Sequence, residues 1–437
     1  MAYDAWIAKR LGIKDDELTR ESLGRYQLAK INEIIALTRE HSPFYKRHLQ
    51  GCGSSPLADL ADVARLPFLT PHDLRNSGLK MLCVSQGEIS RVVTLETSGT
   101  TGPPKQLYFT GQDQELTVDF FVQSMSRLIQ ADERVSILLP ADRPGGVGDL
   151  LYRAVSRLRA LPVKHGLVTK LPVMLENLFT RPVRCLVGVP VQILALAKYY
   201  EASGEKRKLR LKNILLCTDY VSPSIVKEIE RIWDCRVFDY YGMTEAGLGG
   251  GMECSARSGY HLHEADLYFE IVDPVSGGPV LEGREGEVVI STLTRRGMPL
   301  LRYRTGDLSR FVPEPCPCGA ILRRLEKIRK RKNGPAPPAP YASLAMADLD
   351  DVLFPLFGLV DFSVNMVCGK KKNTLELTLY SLHSGIKEQD IRTALSSAPS
   401  LLPALASGAL DVAMANKIVG DTIFPASAKR QIRVFSS

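Results

Sequence analysis

Apolar and polar positions along this chain follow two different periods. Across residues 16–50 the spacing is helical, with Leu23, Leu28, Ile31, Ile34, Ile35 and Leu37 on one face. The pattern stops at His41-Ser42-Pro43-Phe44-Tyr45. From about residue 92 short apolar runs alternate with amphipathic stretches. Residues 135–139 and 183–188 predict buried strands, 191–203 a helix, 213–217 a strand, 222–233 a helix and 237–241 a strand. Alternation of this kind predicts an α/β fold with parallel sheets and covering helices. Gly286–Thr292 is a further strand in a Gly-rich region, expected to be antiparallel or a small barrel-like part.

The alternation breaks at Asn333-Gly334-Pro335-Ala336-Pro337-Pro338-Ala339-Pro340, where four prolines in six residues exclude a helix interior or a central strand. This divides the chain into a large part, 1–332, a Pro-rich hinge linker, 333–340, and a small α+β domain, 341–437. The small part reads helix, strand, strand, helix, strand, with strands at 360–367 and 375–382 and a helix at 387–396.

A chain of 437 residues is long enough for several cores. Its net charge of +8 is mild for that length. It favours anionic ligands such as a nucleotide, pyrophosphate or coenzyme A, and does not mark a nucleic-acid binder. The basic run at 323–332 reads as a solvated segment or linker. The first residues lack a basic region followed by an apolar core, so no secretory signal is expected. No stretch approaches the roughly 18 apolar residues of a membrane helix. Cys185, Cys217 and Cys368 sit in apolar runs and read as buried thiols of a reducing compartment, which predicts a cytoplasmic protein. A homodimer is left open.

Residues 97–105 change the picture most. A β-prone stretch enters Thr97-Ser98-Gly99-Thr100-Thr101-Gly102-Pro103-Pro104-Lys105, where hydroxyls and glycines are closed by a lysine. Glycines let backbone N–H groups approach phosphate oxygens, hydroxyls donate to them and Lys105 offers a point charge. The alternative on composition alone is a surface turn. The order is not that of a Walker A loop, since no Gly-Lys-Ser/Thr opens a helix. The segment resembles the phosphate-binding signature of the adenylate-forming superfamily, which includes acyl-CoA synthetases, peptide-synthetase adenylation domains and luciferases.

Two further segments follow in the order of that superfamily. Asp239-Tyr240-Tyr241-Gly242-Met243-Thr244-Glu245 resembles its aromatic-Gly-x-Thr-Glu motif. The resemblance implies that Tyr241 and Gly242 line the adenine, Thr244 touches the α-phosphate and Glu245 holds Mg²⁺. Tyr303-Arg304-Thr305-Gly306-Asp307 resembles the motif whose aspartate binds the ribose hydroxyls. Asp219, in Cys217-Thr218-Asp219-Tyr220, falls where the superfamily has an adenine-contacting segment. Across most of 20–332 the chain is similar to the phenylacetate–CoA ligase-like branch, including Leu66-Pro67-Phe68-Leu69-Thr70-Pro71-His72-Asp73-Leu74 and the stretch from Glu285 to Asp307. The resemblance implies a large adenylate-forming N-terminal domain of several subdomains and a small mobile C-terminal domain.

Cys316-Pro317-Cys318-Gly319 is a tight turn with two thiolates. With Cys254 and His261 it offers three sulfurs and an imidazole, a tetrahedral donor set suited to a structural zinc. His263 is the reserve ligand. The spacing from Cys254 to His261 resembles the pattern of the same branch.

The tail departs from the family. Relatives carry a Gly-Arg-x-Asp-Asp hinge where this chain has Lys330-Arg331-Lys332-Asn333-Gly334, so that only Arg331 remains to reach ribose or phosphate. The lysine that stabilises adenylation falls at Lys429, preceded by Ala428 rather than glycine, and ungapped spacing puts Arg430 in that register. The expected function is ATP-dependent activation of an aryl or short acyl carboxylic acid, followed by transfer to coenzyme A. Transfer to a carrier protein or an amine, and a non-catalytic adenylate-binding protein, remain open alternatives.

Overall fold

The computed structural model describes residues 2–95, 104–332, 344–369, 372–382, 384–420 and 430–436. The chain forms two compact units, one of Met1–Arg127 with Tyr240–Ile328 and one of Leu128–Asp239 with Arg329–Ser437.

In the first unit, the predicted long helix runs Arg20–His41. Thr19 caps it: its hydroxyl accepts from the Ser22 amide, while the Thr19 amide donates to the Ser22 hydroxyl at 2.8 Å. The helix stops where Ser42 starts the next one, Pro43–His48, as its N-cap with proline at the first position. Leu23, Ile31, Ile34 and Ile35 are buried as expected, but Leu28 and Leu37 are only half-buried. Gln27 and Thr38 take buried places instead, and each is satisfied by hydrogen bonding. Gln27 donates to the Glu264 carbonyl at 2.9 Å, and Thr38 to that of Ile35 at 3.0 Å.

Three antiparallel arrangements hold the strands of this unit. Ile89–Leu95 pairs with Lys105–Thr110, and Leu95 and Lys105 are partners at the closing end. Leu267–Val272, Gly286–Thr292 and Tyr303–Ser309 form an antiparallel sheet. The Gly-rich region is therefore an open sheet, with no closed barrel among the described residues. A smaller ladder joins Gly251–Glu253, Tyr260–Leu262, Arg324–Leu325 and Phe311–Val312.

The second unit holds the predicted parallel sheet. Its strands lie in the order Leu161–Lys164, Arg134–Leu138, Cys185–Gly188, Asn213–Leu216 and the start of Arg236–Tyr241. The C-terminal sheet has the order Leu410–Ile418, Asn373–Ser381, Leu359–Cys368, Ile432–Ser436, with a central antiparallel pair and parallel outer pairs. It adds a short helix, Leu402–Ala406, and a last strand to the predicted pattern.

One apolar cluster runs through this unit, including Leu194, Leu196, Phe354, Leu359 and Phe362. Its centre is the helix Pro190–Ala202, whose residues from Pro190 to Lys198 are all buried. A helix buried all round has no place for a charge unless the fold supplies partners. Lys198 finds three: its ammonium donates to the carbonyls of Phe354 at 2.6 Å, Leu356 at 2.8 Å and Leu359 at 2.8 Å. These satisfy the end of the helix Met346–Leu353 and the turn after it. Burial lowers the Lys198 pKa to about 8. Lys198→Met leaves three carbonyls without their donor and is expected to cost about 2–4 kcal/mol. Urea unfolding of the variant would measure it, and an unchanged midpoint would contradict the role.

Candidate functional site

The hairpin Ile89–Leu95 with Lys105–Thr110 brings the two ends of the 97–105 segment together. Thr97, Ser98, Gly99, Thr100, Thr101 and Gly102 lie outside the described residues. Lys105, at the start of the second strand, is described. Its ammonium lies 2.5 Å from Glu245 Oε1, and the Tyr303 hydroxyl donates to the same oxygen at 3.1 Å. Glu245 is 7% exposed, so this is a buried ion pair with a further hydrogen bond. Burial opposes ionisation of Glu245, but the charge and hydrogen bond of Lys105, with that of Tyr303, outweigh it and hold the carboxyl below its ordinary value.

The turn leading to Glu245 needs its glycine. A Cβ on Gly242 would meet the Leu248 carbonyl oxygen at 2.4 Å and the Tyr240 ring at 2.8 Å. Thr244 is half-buried in this turn, and its carbonyl accepts from the Gly247 amide at 2.9 Å. Tyr241 closes the preceding strand and donates to Asp307 Oδ2 at 3.0 Å. Asp307 is fully buried on Tyr303–Ser309, where its amide donates to the Thr305 hydroxyl at 3.0 Å. The first unit thus gathers Lys105, Tyr241, Gly242, Thr244, Glu245 and Asp307. Asp219 and Arg331 belong to the second unit. Asp219 accepts from the Tyr220 amide at 2.9 Å, and Arg331 is exposed on the short strand Lys330–Arg331. Lys429 lies outside the described residues.

The small ladder assembles the cysteine set. Cys254 follows Gly251–Glu253, His261 lies on Tyr260–Leu262, and Cys316 and Cys318 occupy the turn before Arg324–Leu325. Their four ligand atoms lie within 4.8 Å of one another. Cys254 Sγ is 3.5 Å from Cys316 Sγ, and His261 Nε2 is 3.3 Å from both Cys316 Sγ and Cys318 Sγ. Tetrahedral zinc with its usual bond lengths would separate such atoms by roughly 3.5–3.8 Å, so the donor set fits that ion in kind and spacing. The Ala256 amide donates to Cys254 Sγ at 3.4 Å. His263 stands apart. It lies 2.8 Å from Asp266 and stacks on Phe120 with ring centres 4.0 Å apart.

A family profile described as AMP-binding enzyme matches residues 92–294, the span that contains the hairpin and the Glu245 turn. The phenylacetate–coenzyme A ligase of Thermus thermophilus is 29% identical over 327 residues, covering 72% of this chain and 72% of its own. That of Escherichia coli is 27% identical over 346 residues, covering 72% of this chain and 75% of its own. By these matches the chain is similar to the adenylate-forming superfamily and, within it, is phenylacetate–CoA ligase-like. The fold agrees over more of its length. A 2-hydroxyisobutyryl-CoA ligase in the postadenylation state superimposes with a TM-score of 0.76 at 20% identity, covering 95% of this chain and 89% of that one. The same enzyme in the thioesterification state gives 0.68 at 21% identity, covering 96% and 90%.

Two residues of this chain had only part of their role legible in the sequence. Tyr303 stood inside a recognised segment, but only the fold shows that its hydroxyl reaches Glu245. Arg430 sat beside Lys429 in the tail. It is a buried guanidinium between Asp350, at 2.5 Å, and Asp361, at 3.2 Å. Burial pushes Asp350 up to about 7 against the pull of Arg430, and raises Asp361 in the same direction.

Proposed function

We propose that the chain is an AMP-forming acid:CoA ligase that activates a small carboxylic acid, aryl or short acyl. The carboxylate oxygen attacks the α-phosphorus of ATP, the bond from that phosphorus to the bridging oxygen breaks, and pyrophosphate leaves. The thiol of coenzyme A then attacks the acyl carbon and AMP leaves. The names of the similar ligases support both steps, and this branch of sequence supports the substrate class.

In this reading the 97–102 hydroxyls and glycines, with Lys105, hold the β- and γ-phosphates. Thr244 contacts the α-phosphate, while Gly242, Tyr241 and Asp219 border the adenine. Asp307 accepts from the ribose hydroxyls, oriented by Tyr241. Arg331 reaches ribose or phosphate, and Lys429 offsets charge developing at the α-phosphate. Glu245 would hold Mg²⁺, which neutralises phosphate charge when bound. Cys254, His261, Cys316 and Cys318 would hold a structural zinc, since four protein ligands leave no open position. Residues 341–437, joined through 333–340, would be the small mobile domain. Cysteines buried in apolar surroundings, such as Cys185 and Cys217, support a reducing, cytoplasmic location.

The observation that carries the reading is the buried Lys105–Glu245 pair, which sets a cation and a carboxylate side by side at the closing end of the hairpin. The experiment is acid-dependent exchange of labelled pyrophosphate into ATP over a panel of aryl and short acyl acids. Exchange with at least one acid is expected, together with acyl-CoA formation once coenzyme A is added. No exchange with any acid would overturn the reading. Exchange without acyl-CoA would move the acyl group to another acceptor.

A further inference from the structure

Arg295 lies in the loop after the strand Gly286–Thr292, and that loop is pinned to the helix Gly111–Met125. Asp113 on the helix accepts from the Arg296 amide at 3.0 Å and from the Gly297 amide at 3.2 Å. Arg295 itself is 5% exposed. Its guanidinium lies over the Phe109 ring at 4.7 Å, and a Cβ on Gly247 would sit 3.0 Å from its Nη2. Phe109 follows Lys105 on the same strand, and Gly247 follows Glu245 in the same turn. The cation therefore stands against both segments that carry the buried ion pair.

Arg302, in the same unit, shows what a structural arginine looks like. It is 2% exposed, and its guanidinium donates to Glu270 at 3.1 Å and to the carbonyls of Ala64 at 2.8 Å and Leu66 at 2.7 Å. Arg295 is different. Among the described residues its Nη1 is enclosed and has no hydrogen-bond partner. Burial lowers its pKa against the pull of Asp113 and Glu245, yet a guanidinium keeps its charge in proteins. Both carboxylates have other donors. Asp113 accepts from the amides of Thr110, Arg296 and Gly297, and Glu245 Oε1 from Lys105 and Tyr303. A buried donor left open costs free energy, and the cost is relieved only when an acceptor arrives. The planar fork of arginine suits an oxyanion.

We propose that Arg295 is an oxyanion-binding residue of the adenylation site, its open Nη1 donating to a bound reactant. The acceptor is a phosphate oxygen of ATP or pyrophosphate, or a carboxylate oxygen of the acid. This rests on the ligase reading, which supplies both oxyanions.

The test compares wild type, Arg295→Met and Arg295→Lys, with Arg302→Met as a structural control. Calorimetry reads the dissociation constants of ATP and of inorganic pyrophosphate, each with Mg²⁺. It also reads those of aryl and short acyl acids, such as benzoate and acetate, in the presence of a non-hydrolysable ATP analogue. Arg295→Met is expected to weaken one of these two classes at least about tenfold and to leave the other within about threefold. A loss confined to ATP and pyrophosphate assigns the donor to the phosphate chain, and a loss confined to the acids assigns it to the carboxylate. Arg295→Lys keeps a point charge without the fork and falls between.

Urea unfolding adds a readout that a structural arginine would move the other way. Arg295→Met removes a buried cation with an open donor, so its midpoint is expected at or above that of wild type. Arg302→Met strands Glu270 and two carbonyls, so it is expected to unfold at lower urea. Affinities within about threefold for both classes, similar losses in both, or a midpoint lowered as far as in Arg302→Met would each overturn the proposal. A wild type without pyrophosphate exchange that still binds either class through Arg295 would end the ligase reading and leave the site standing. Exchange with affinities indifferent to Arg295 would do the reverse, and a wild type that binds neither class would overturn both.

Discussion

Glu245→Gln is expected to lower acid-dependent pyrophosphate exchange by roughly 100- to 1000-fold, with a loss of stability because the Lys105 ammonium loses its carboxylate. Glutamine keeps the size of the side chain and one oxygen for the Tyr303 hydroxyl, which lies 3.1 Å from Glu245 Oε1. It removes the charge that would hold the metal. Lys105→Met breaks the pair from the other side. It leaves a carboxylate that is 7% exposed without its counter-ion, so a cost of about 3–5 kcal/mol is expected on top of the loss of exchange. Combining the two substitutions removes both charges from the same buried place. The double variant should regain most of the lost stability and none of the activity. Thermal unfolding and exchange measured on all four proteins separate the terms as a double-mutant cycle. A Glu245→Gln enzyme that keeps exchange within about threefold would show that this carboxylate serves packing and not the nucleotide.

The sequence was most informative where the deciding interactions are local. The strands and helices of the parallel sheet follow from short apolar runs and helical spacing, so Pro190–Ala202 and Pro223–Trp233 lie within a residue of the predicted bounds. The long helix shows the limit. Its period was readable, yet Gln27 is buried because a carbonyl 237 residues away accepts from it. Nothing near Gln27 in the chain signals that partner. Lys198 is a similar case: it follows an apolar run inside the predicted helix, while its three carbonyl partners lie more than 150 residues on.

The same contrast holds at the site. Lys105 and Glu245 were each legible in a compact segment, but their pairing spans 140 residues and needed the fold. The cysteine set was legible because the Cys-x-Cys turn and the Cys254–His261 spacing both follow ligand chemistry, helped by resemblance. His263 fits the spacing nearly as well as His261 and differs only in direction. Two residues on from His261 and just past the strand Tyr260–Leu262, it faces Asp266 and Phe120 instead. Arg430 was legible only as a register problem, since its carboxylates come from elements 69 and 80 residues earlier.

Cys316→Ser is expected to take the metal content of the purified protein from about one zinc per chain to near zero, and to lower its stability by several kcal/mol. Cys316 is the hub of the set, with Cys254 Sγ at 3.5 Å and His261 Nε2 at 3.3 Å, and it is buried. Serine offers a weaker ligand for the ion and leaves the remaining donors crowded together without it. Loss of stability alone would not identify a metal site, because any change in this ladder disturbs packing. His263→Gln supplies the contrast. His263 is also buried, and breaking its contact with Asp266 should destabilise the same unit by a comparable amount. It contributes nothing to the four-atom cluster, so that variant should keep its zinc. Metal analysis after chelator washing therefore separates ligand loss from packing loss. A wild-type protein with well under one zinc per chain would remove the site, and a His263→Gln protein that loses its zinc would move the fourth ligand from His261 to His263.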